Sequence, residues 1–255
     1  MLTLALLWSF GCSSMDYSDA RFDRFRDSEA GEVVLDSLMK QGYLDWAGER
    51  GITFNLRSMT IEGSSRLVTV EKVSCDIEND GIRSQGNEGA VMVVKTYKDG
   101  EYRELHDGEA LKDPRRLANG RRLLLLDYFS LAVPFLVADR SLSLESKDSE
   151  TIGGVLYKVI EVRFQPSGHF PPDEVYRLYY SYSTKRLEKV FFTAGGGEYK
   201  GLGIWCEVDN FAATDHVFLP VHRTFTVVPE GSAEKASQPF LEQWVYEVSF
   251  GSVGL

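Results

Sequence analysis

From residue 52 onward the chain is built from short segments in which apolar and polar side chains alternate. ITFNLRSMTI at 52–61 sets Ile52, Phe54 and Leu56 against Thr53, Asn55 and Arg57, the period of two expected of a strand with one buried face. The same character recurs in RLVTVEKVSC (66–75), AVMVVKTY (90–97), EYREL (101–105), SLSLES (141–146) and VLYKVIEVRF (155–164). It continues in VYRLYYSYS (175–183), RLEKVFFTA (186–194), GIWCEVDNF (203–211), VHRTFTVV (221–228) and FLEQWVYEVSF (240–250). Clusters of Gly, Pro, Asp and Ser separate these runs. About eleven strands joined by short turns, without regular helical crossovers, predict an antiparallel meander in a mainly β fold of the α+β class.

Two segments break the strand pattern. SEAGEVVLDSLMKQG at 28–42 reads as a helix: Ser28 caps it, Glu29 and Glu32 favour its positive end, and Val34, Leu35, Leu38 and Met39 form one apolar stripe. DPRRLANGRRLLLLDYFSLAVPF carries the one long helical signal, with Asp113 as cap, Pro114 in the first turn, Gly120 a weak point and Pro134 the expected stop. Aromatic-rich strands, Phe164 and the Tyr176 to Tyr182 series among them, imply a wide apolar face that needs cover. The two helices are the candidates to provide it.

Before the first helix, Met1 to Gly11 is almost wholly apolar. As a helix it rises only about 15 Å, half of a roughly 30 Å hydrocarbon core, too short for a stable span. Gly11, Cys12, Ser13 and Ser14 resemble the lipobox of bacterial lipoproteins, in which the cysteine is acylated and the bond before it cleaved. No Lys or Arg precedes the apolar run, and Ser9 stands where that pattern carries an aliphatic residue. A cleaved secretory signal and a buried N-terminal strand are the other readings. The expected organisation is a signal peptide at 1–11, a lipidated Cys12 with tether at 12–27, and one domain at 28–255. Acyl chains on Cys12 would hold the protein on a membrane durably. Cys75 and Cys206 remain, able to pair or to stay buried as two free thiols.

The N-terminal helix, the run of antiparallel strands and the helical insertion ending at LAVPF, behind a lipobox-like cysteine, resemble the LolA/LolB-like lipoprotein-carrier superfamily, nearest to secreted bacterial lipoproteins. GEVVLDSLMKQG leading into ITFNLRSMTI, and the paired strands VYRLYYSYSTKRLEKVFF, carry the resemblance. It implies a strongly curved sheet forming an incomplete barrel whose open side the helices cover, with an apolar ligand between them. The expected ligand is a lipid or other apolar small molecule, held without catalysis. The aromatic and aliphatic positions expected to line such a cavity are Phe54, Leu56, Phe135, Phe164, Tyr180, Phe192, Phe225 and Tyr246.

Composition narrows the partners. With 28 basic and 38 acidic residues the net charge is −10, which opposes general affinity for nucleic acid or anionic surfaces. The exception is PRRLANGRR, with Arg115, Arg116, Arg121 and Arg122, a solvated helix face or a contact for an acidic partner. There is no G-x-S-x-G elbow, P-loop or H-E-x-x-H pattern. His216 and His222 lie six apart, but Pro220 interrupts strand geometry between them and no further ligand stands at a metal-binding spacing. Neither a metal nor a cofactor is therefore expected. The favoured expectation is a lipid-anchored protein of the bacterial cell envelope, at the outer membrane facing the periplasm. The alternative is a lipoprotein that keeps the fold, fills its own core and binds a protein partner. A hydrolase built on His216 and His222 is a third class.

Overall fold

The computed structural model describes residues 22–79, 81–138, 142–163, 175–193, 201–228 and 239–253. The first half of the chain forms α1 (Asp23–Arg26), α2 (Glu29–Lys40), α3 (Tyr43–Trp46), β1 (Gly51–Glu62), β2 (Ser65–Asp76), β3 (Gly81–Glu88), β4 (Val91–Lys98), β5 (Glu101–His106) and β6 (Glu109–Ala110). After α4 (Pro114–Leu136) come β7 (Ser143–Ser146), β8 (Glu150–Ile152), β9 (Val155–Arg163), β10 (Val175–Ser181), β11 (Leu187–Thr193), β12 (Gly203–Thr214), β13 (Val217–Val228) and β14 (Pro239–Phe250).

The 14 strands make one open antiparallel sheet in the order β6-β5-β4-β3-β2-β1-β14-β13-β12-β11-β10-β9-β7, with β8 also paired to β9. Two meanders are thus joined by α4 in sequence and by the β1–β14 ladder in space. Thirteen strands abreast would span about 60 Å if flat. Yet α4 packs on β3, β4 and β5 as well as on β13, while α2 touches both β7 and α4. The sheet must therefore curl around the helices. Register shifts in the β1–β14, β10–β11, β12–β13 and β13–β14 ladders supply the local bends that such curvature needs.

The expected mainly β, helix-covered half-barrel is what forms, with three strands beyond the eleven expected. β6 and β8 are two and three residues long. β3 (GIRSQGNE) has almost no apolar alternation and turns Ile82 and Ser84, both buried, toward the interior side. Ser28 caps α2, its Oγ accepting from Gly31 N at 3.0 Å. Asp113 caps α4, accepting from the backbone N–H groups of Arg115 and Arg116 at 2.8 and 3.3 Å. Pro134 does not stop α4, which runs on to Leu136. A proline so near the end removes a single late hydrogen bond, and burial of Val133, Pro134 and Phe135 offsets that loss.

The packed body also begins earlier than Ser28. Phe22 and Phe25 are buried and pack into the core; Cys12 lies outside the described residues. One continuous core joins Phe25, Val34 and Leu38 of the N-terminal helices to Phe54, Val73, Leu131, Leu178, Ile204 and Phe225. A smaller cluster of Tyr157, Val159, Tyr179, Trp205 and Val228 sits apart from it. Cys75 and Cys206 are free and buried, and burial pushes the Cys206 thiol up to about 12.

The chain leaves α2 through Gly42, at φ 79°, where it passes against the β12–β13 turn. Phe218 N donates to Gln41 O at 2.9 Å, and a Cβ on Gly42 would meet His216 O at 2.2 Å. Both the left-handed backbone and the close approach require glycine. Gly42→Ala is expected to cost about 2 kcal/mol or more in urea denaturation; unchanged stability would refute this account of how α2 docks.

Candidate functional site

Along β1 the inward side chains run Ile52, Phe54, Leu56 and then Ser58 and Thr60, so the interior face turns from apolar to polar halfway up the strand. Its neighbours follow. Ser58 lies between Thr69 of β2 and Gln243 of β14, and Thr60 between Leu67 and Leu241. Over this polar end stands the first half of α4. Between helix and sheet lies a cleft of about 240 Å³, lined on the sheet side by Ser58, Thr60, Leu67, Thr69, Glu71, Lys95 and Gln243 and on the helix side by Asn119, Arg122, Leu123, Leu126 and Asp127. Leu67 is 65% exposed and Leu123 40%, which makes them apolar lips to a cleft whose floor is polar.

The floor carries two hydrogen-bonded groups of buried and half-buried polar side chains. Gln243 Nε2 donates to Asp127 Oδ1 at 2.6 Å and to Ser58 Oγ at 3.2 Å. Glu71 accepts from Lys95 Nζ at 2.6 Å and from Ser84 Oγ at 2.7 Å. Gly86 leaves room for this: a Cβ there would meet Glu71 Cγ at 2.8 Å. Deeper in, fully buried Arg223 donates through Nη1 to Ser130 Oγ at 2.7 Å and to Asp127 O at 3.3 Å. α4 is thereby pinned to β13 and β14.

These surroundings move the ionisations. Burial, with the Glu71 carboxylate nearby, pushes Asp127 up to about 7 against the weaker pull of Gln243, Arg223 and Lys95. For Lys95 burial acts to lower the value, but the Coulombic and hydrogen-bonding effects of Glu71 together outweigh it and the net shift is upward. Burial lowers Arg223. Among the described residues the lining contains no histidine or cysteine. His106 pairs with Glu104 at 2.6 Å away from the cleft, His216 sits exposed beside the β12–β13 turn, and His222 pairs with Asp209 at 3.3 Å. Apolar lips over a polar floor suit an amphiphile held by contact and hydrogen bonds.

Of the residues picked out by sequence, Phe54, Leu56, Phe135, Tyr180, Phe192 and Phe225 all join the continuous core. Phe135 stacks on Trp46 at 4.5 Å, and Phe192 packs against Tyr176 at 5.3 Å. None of the six lines the cleft. Tyr246 is 39% exposed on the other face, because Leu241, Gln243 and Val245 take the inward parity of β14. Phe164 lies outside the described residues. Sequence reasoning missed Ser58, Thr60, Asp127 and Gln243; the visible signal was a polar residue at an inward position, clearest in Asp127 within LLLLDYF.

No family model and no curated protein matches the sequence. Solved structures do match in shape. A LolA superfamily protein from Nitrosomonas europaea superposes with a TM-score of 0.57 at 11% identity, over 88% of this chain and 94% of that one. A DUF1329 family protein from Desulfovibrio piger gives 0.56 at 9% identity, over 89% of this chain and 94% of that one. At such identity the likeness concerns architecture, and the fold is LolA-like.

Asp127 makes stability depend on pH. Its folded value near 7 lies above the ordinary 3.8, so between about pH 4 and 7 the folded chain holds a proton the unfolded chain has released, and stability falls as pH rises through that window. Asp127→Asn keeps an acceptor for Gln243 and removes the slope. At pH 8 the variant should be more stable than wild type by about 2–4 kcal/mol in denaturant titrations. A variant with the wild-type slope, or one less stable at pH 8, contradicts the assignment.

Proposed function

We propose that the protein is a non-catalytic lipoprotein of the bacterial cell envelope, anchored through an acylated Cys12 at the outer membrane facing the periplasm, that binds an amphiphilic lipid or lipoprotein acyl chain beneath α4. The observation that carries this reading is the cleft itself: Leu67, Leu123 and Leu126 over Ser58, Thr69 and Gln243, on a fold shaped like that of a LolA superfamily protein. Its 240 Å³ falls below the roughly 300–1,000 Å³ of ordinary ligand pockets. Admission of a whole chain therefore requires α4 to move outward, parting Gln243 from Asp127. Among the described residues no helix is long and apolar enough to cross a membrane, and in this reading attachment rests on Cys12.

A second reading has its own support. Phe54, Leu56, Phe135, Tyr180, Phe192 and Phe225 fill the interior as one packed core, as expected of a module that kept the fold and binds a protein partner, with Arg115, Arg116 and Arg121 exposed on α4 as its contact surface. A fluorescent fatty acid separates the two. The carrier reading predicts saturable binding that Leu126→Trp, which fills the cleft, weakens by about tenfold or more with the thermal transition retained. Wild-type protein that carries no extractable lipid and binds no probe leaves the interaction module. Cys12→Ser is expected to release the protein from the membrane fraction, and unchanged fractionation counts against the anchor.

A further inference from the structure

The outer face of the sheet, turned away from α4, carries a larger concavity. On β9 the inward positions Lys158, Ile160 and Val162 point to α2 and the main core, while Tyr157 points outward. There a groove of about 450 Å³ runs from Tyr157 past the β10–β11 turn to Phe211. Its back is rigid, because Tyr157, Tyr179, Trp205 and Phe191 form a chain of ring contacts at 6.2, 4.9 and 5.1 Å.

Two carboxylates enter this groove from irregular positions in their strands. The β10–β11 register passes from Tyr179↔Lys189 to Tyr180↔Leu187, leaving Glu188 without a ladder partner. The β12–β13 register passes from Val208↔Arg223 to Asn210↔His222, leaving Asp209 unpaired in the same way. Both residues line the groove. Such bulges re-aim side chains out of the regular alternation. Glu188 is held by neutral donors, Thr184 Oγ1 at 2.7 Å and Tyr157 OH at 3.2 Å. The cations are engaged separately: Lys189 pairs with Glu207, and the Arg186 guanidinium lies over the rings of Phe211 and Phe218 at 5.4 and 5.0 Å.

We propose that this groove is a second binding site, for a neutral polyhydroxylated ligand of the saccharide class. A ligand of one charge would meet like charge from the carboxylates of Glu188, Glu207 and Asp209 or from Arg186 and Lys189. Hydroxyl groups donate to the former and accept from the latter, and these polar groups carry the recognition, since Tyr157 is buried and the Phe211 ring lies beneath the Arg186 guanidinium. The volume falls within the ordinary range for small-ligand pockets. The site does not depend on the lipid reading of the α4 cleft.

The test is an amide NMR titration of the Cys12→Ser chain with two neutral probes, triacetylchitotriose and maltotriose, and two charged ones, spermidine and citrate. At least one trisaccharide should shift residues 184–189 and 207–211 saturably. Glu188→Gln with Asp209→Asn should weaken that binding by about tenfold while the thermal transition stays as in the parent chain. Shifts at these residues from spermidine or citrate alone overturn the proposal. So does the absence of shifts with either trisaccharide, or binding insensitive to the double substitution.

Discussion

A sheet with one apolar face cannot leave that face to water, and the remainder of this structure answers that constraint. Ile52, Phe54, Val73, Leu178 and Phe225 come from strands on both sides of the β1–β14 ladder, yet they share a single core. Two short meanders would each have bare edges and too little to bury. Joining the first and last strands at the centre makes one surface wide enough to curl, and curling brings both halves within reach of a single helix. At roughly 25 cal/mol per Å², the apolar area removed from water by α4 and the N-terminal helices outweighs any individual polar contact in the interior.

The polar contacts set position instead. α4 lies over a face that changes character along its length, with leucine and aromatic residues at the Trp46 end and Ser58, Thr60 and Gln243 at the other. Asp127 sits at the boundary, and its bond from Gln243, together with Arg223 reaching Ser130, fixes the helix in rotation and register. Such buried groups cost desolvation and contribute little net stability. Their effect is to favour one arrangement of helix on sheet, and that arrangement leaves a cleft at the polar end.

The strand pattern was legible where a strand buries one side, as β1 and β14 do, so alternation survives in the letters. β3 was not legible: Arg83, Gln85 and Asn87 alternate with Ser84 and Gly86, and it is held by ladder bonds to β2 and β4 more than by apolar burial. The chosen cavity residues were large and apolar, and that property places them in packed interior as readily as around a ligand. What distinguishes the cleft is inward polarity at Ser58, Asp127 and Gln243, which requires knowing the parity of three separate elements at once. The Glu188 and Asp209 bulges left no sign in composition, since a bulge is defined by its partner strand.

Ligand entry in this account is a matter of how firmly the two halves of α4 are held. The C-terminal half, with Leu131, Ala132 and Phe135 buried, belongs to the global core, whereas the half bearing Arg115, Arg116 and Asn119 is exposed. Amide hydrogen exchange measured along the helix tests this directly. The account predicts that amides 128–135 exchange as slowly as those of Ile52, Phe54 and Leu56, with 117–122 markedly faster. Uniformly fast exchange along all of α4 would contradict the helix as the cover of the sheet.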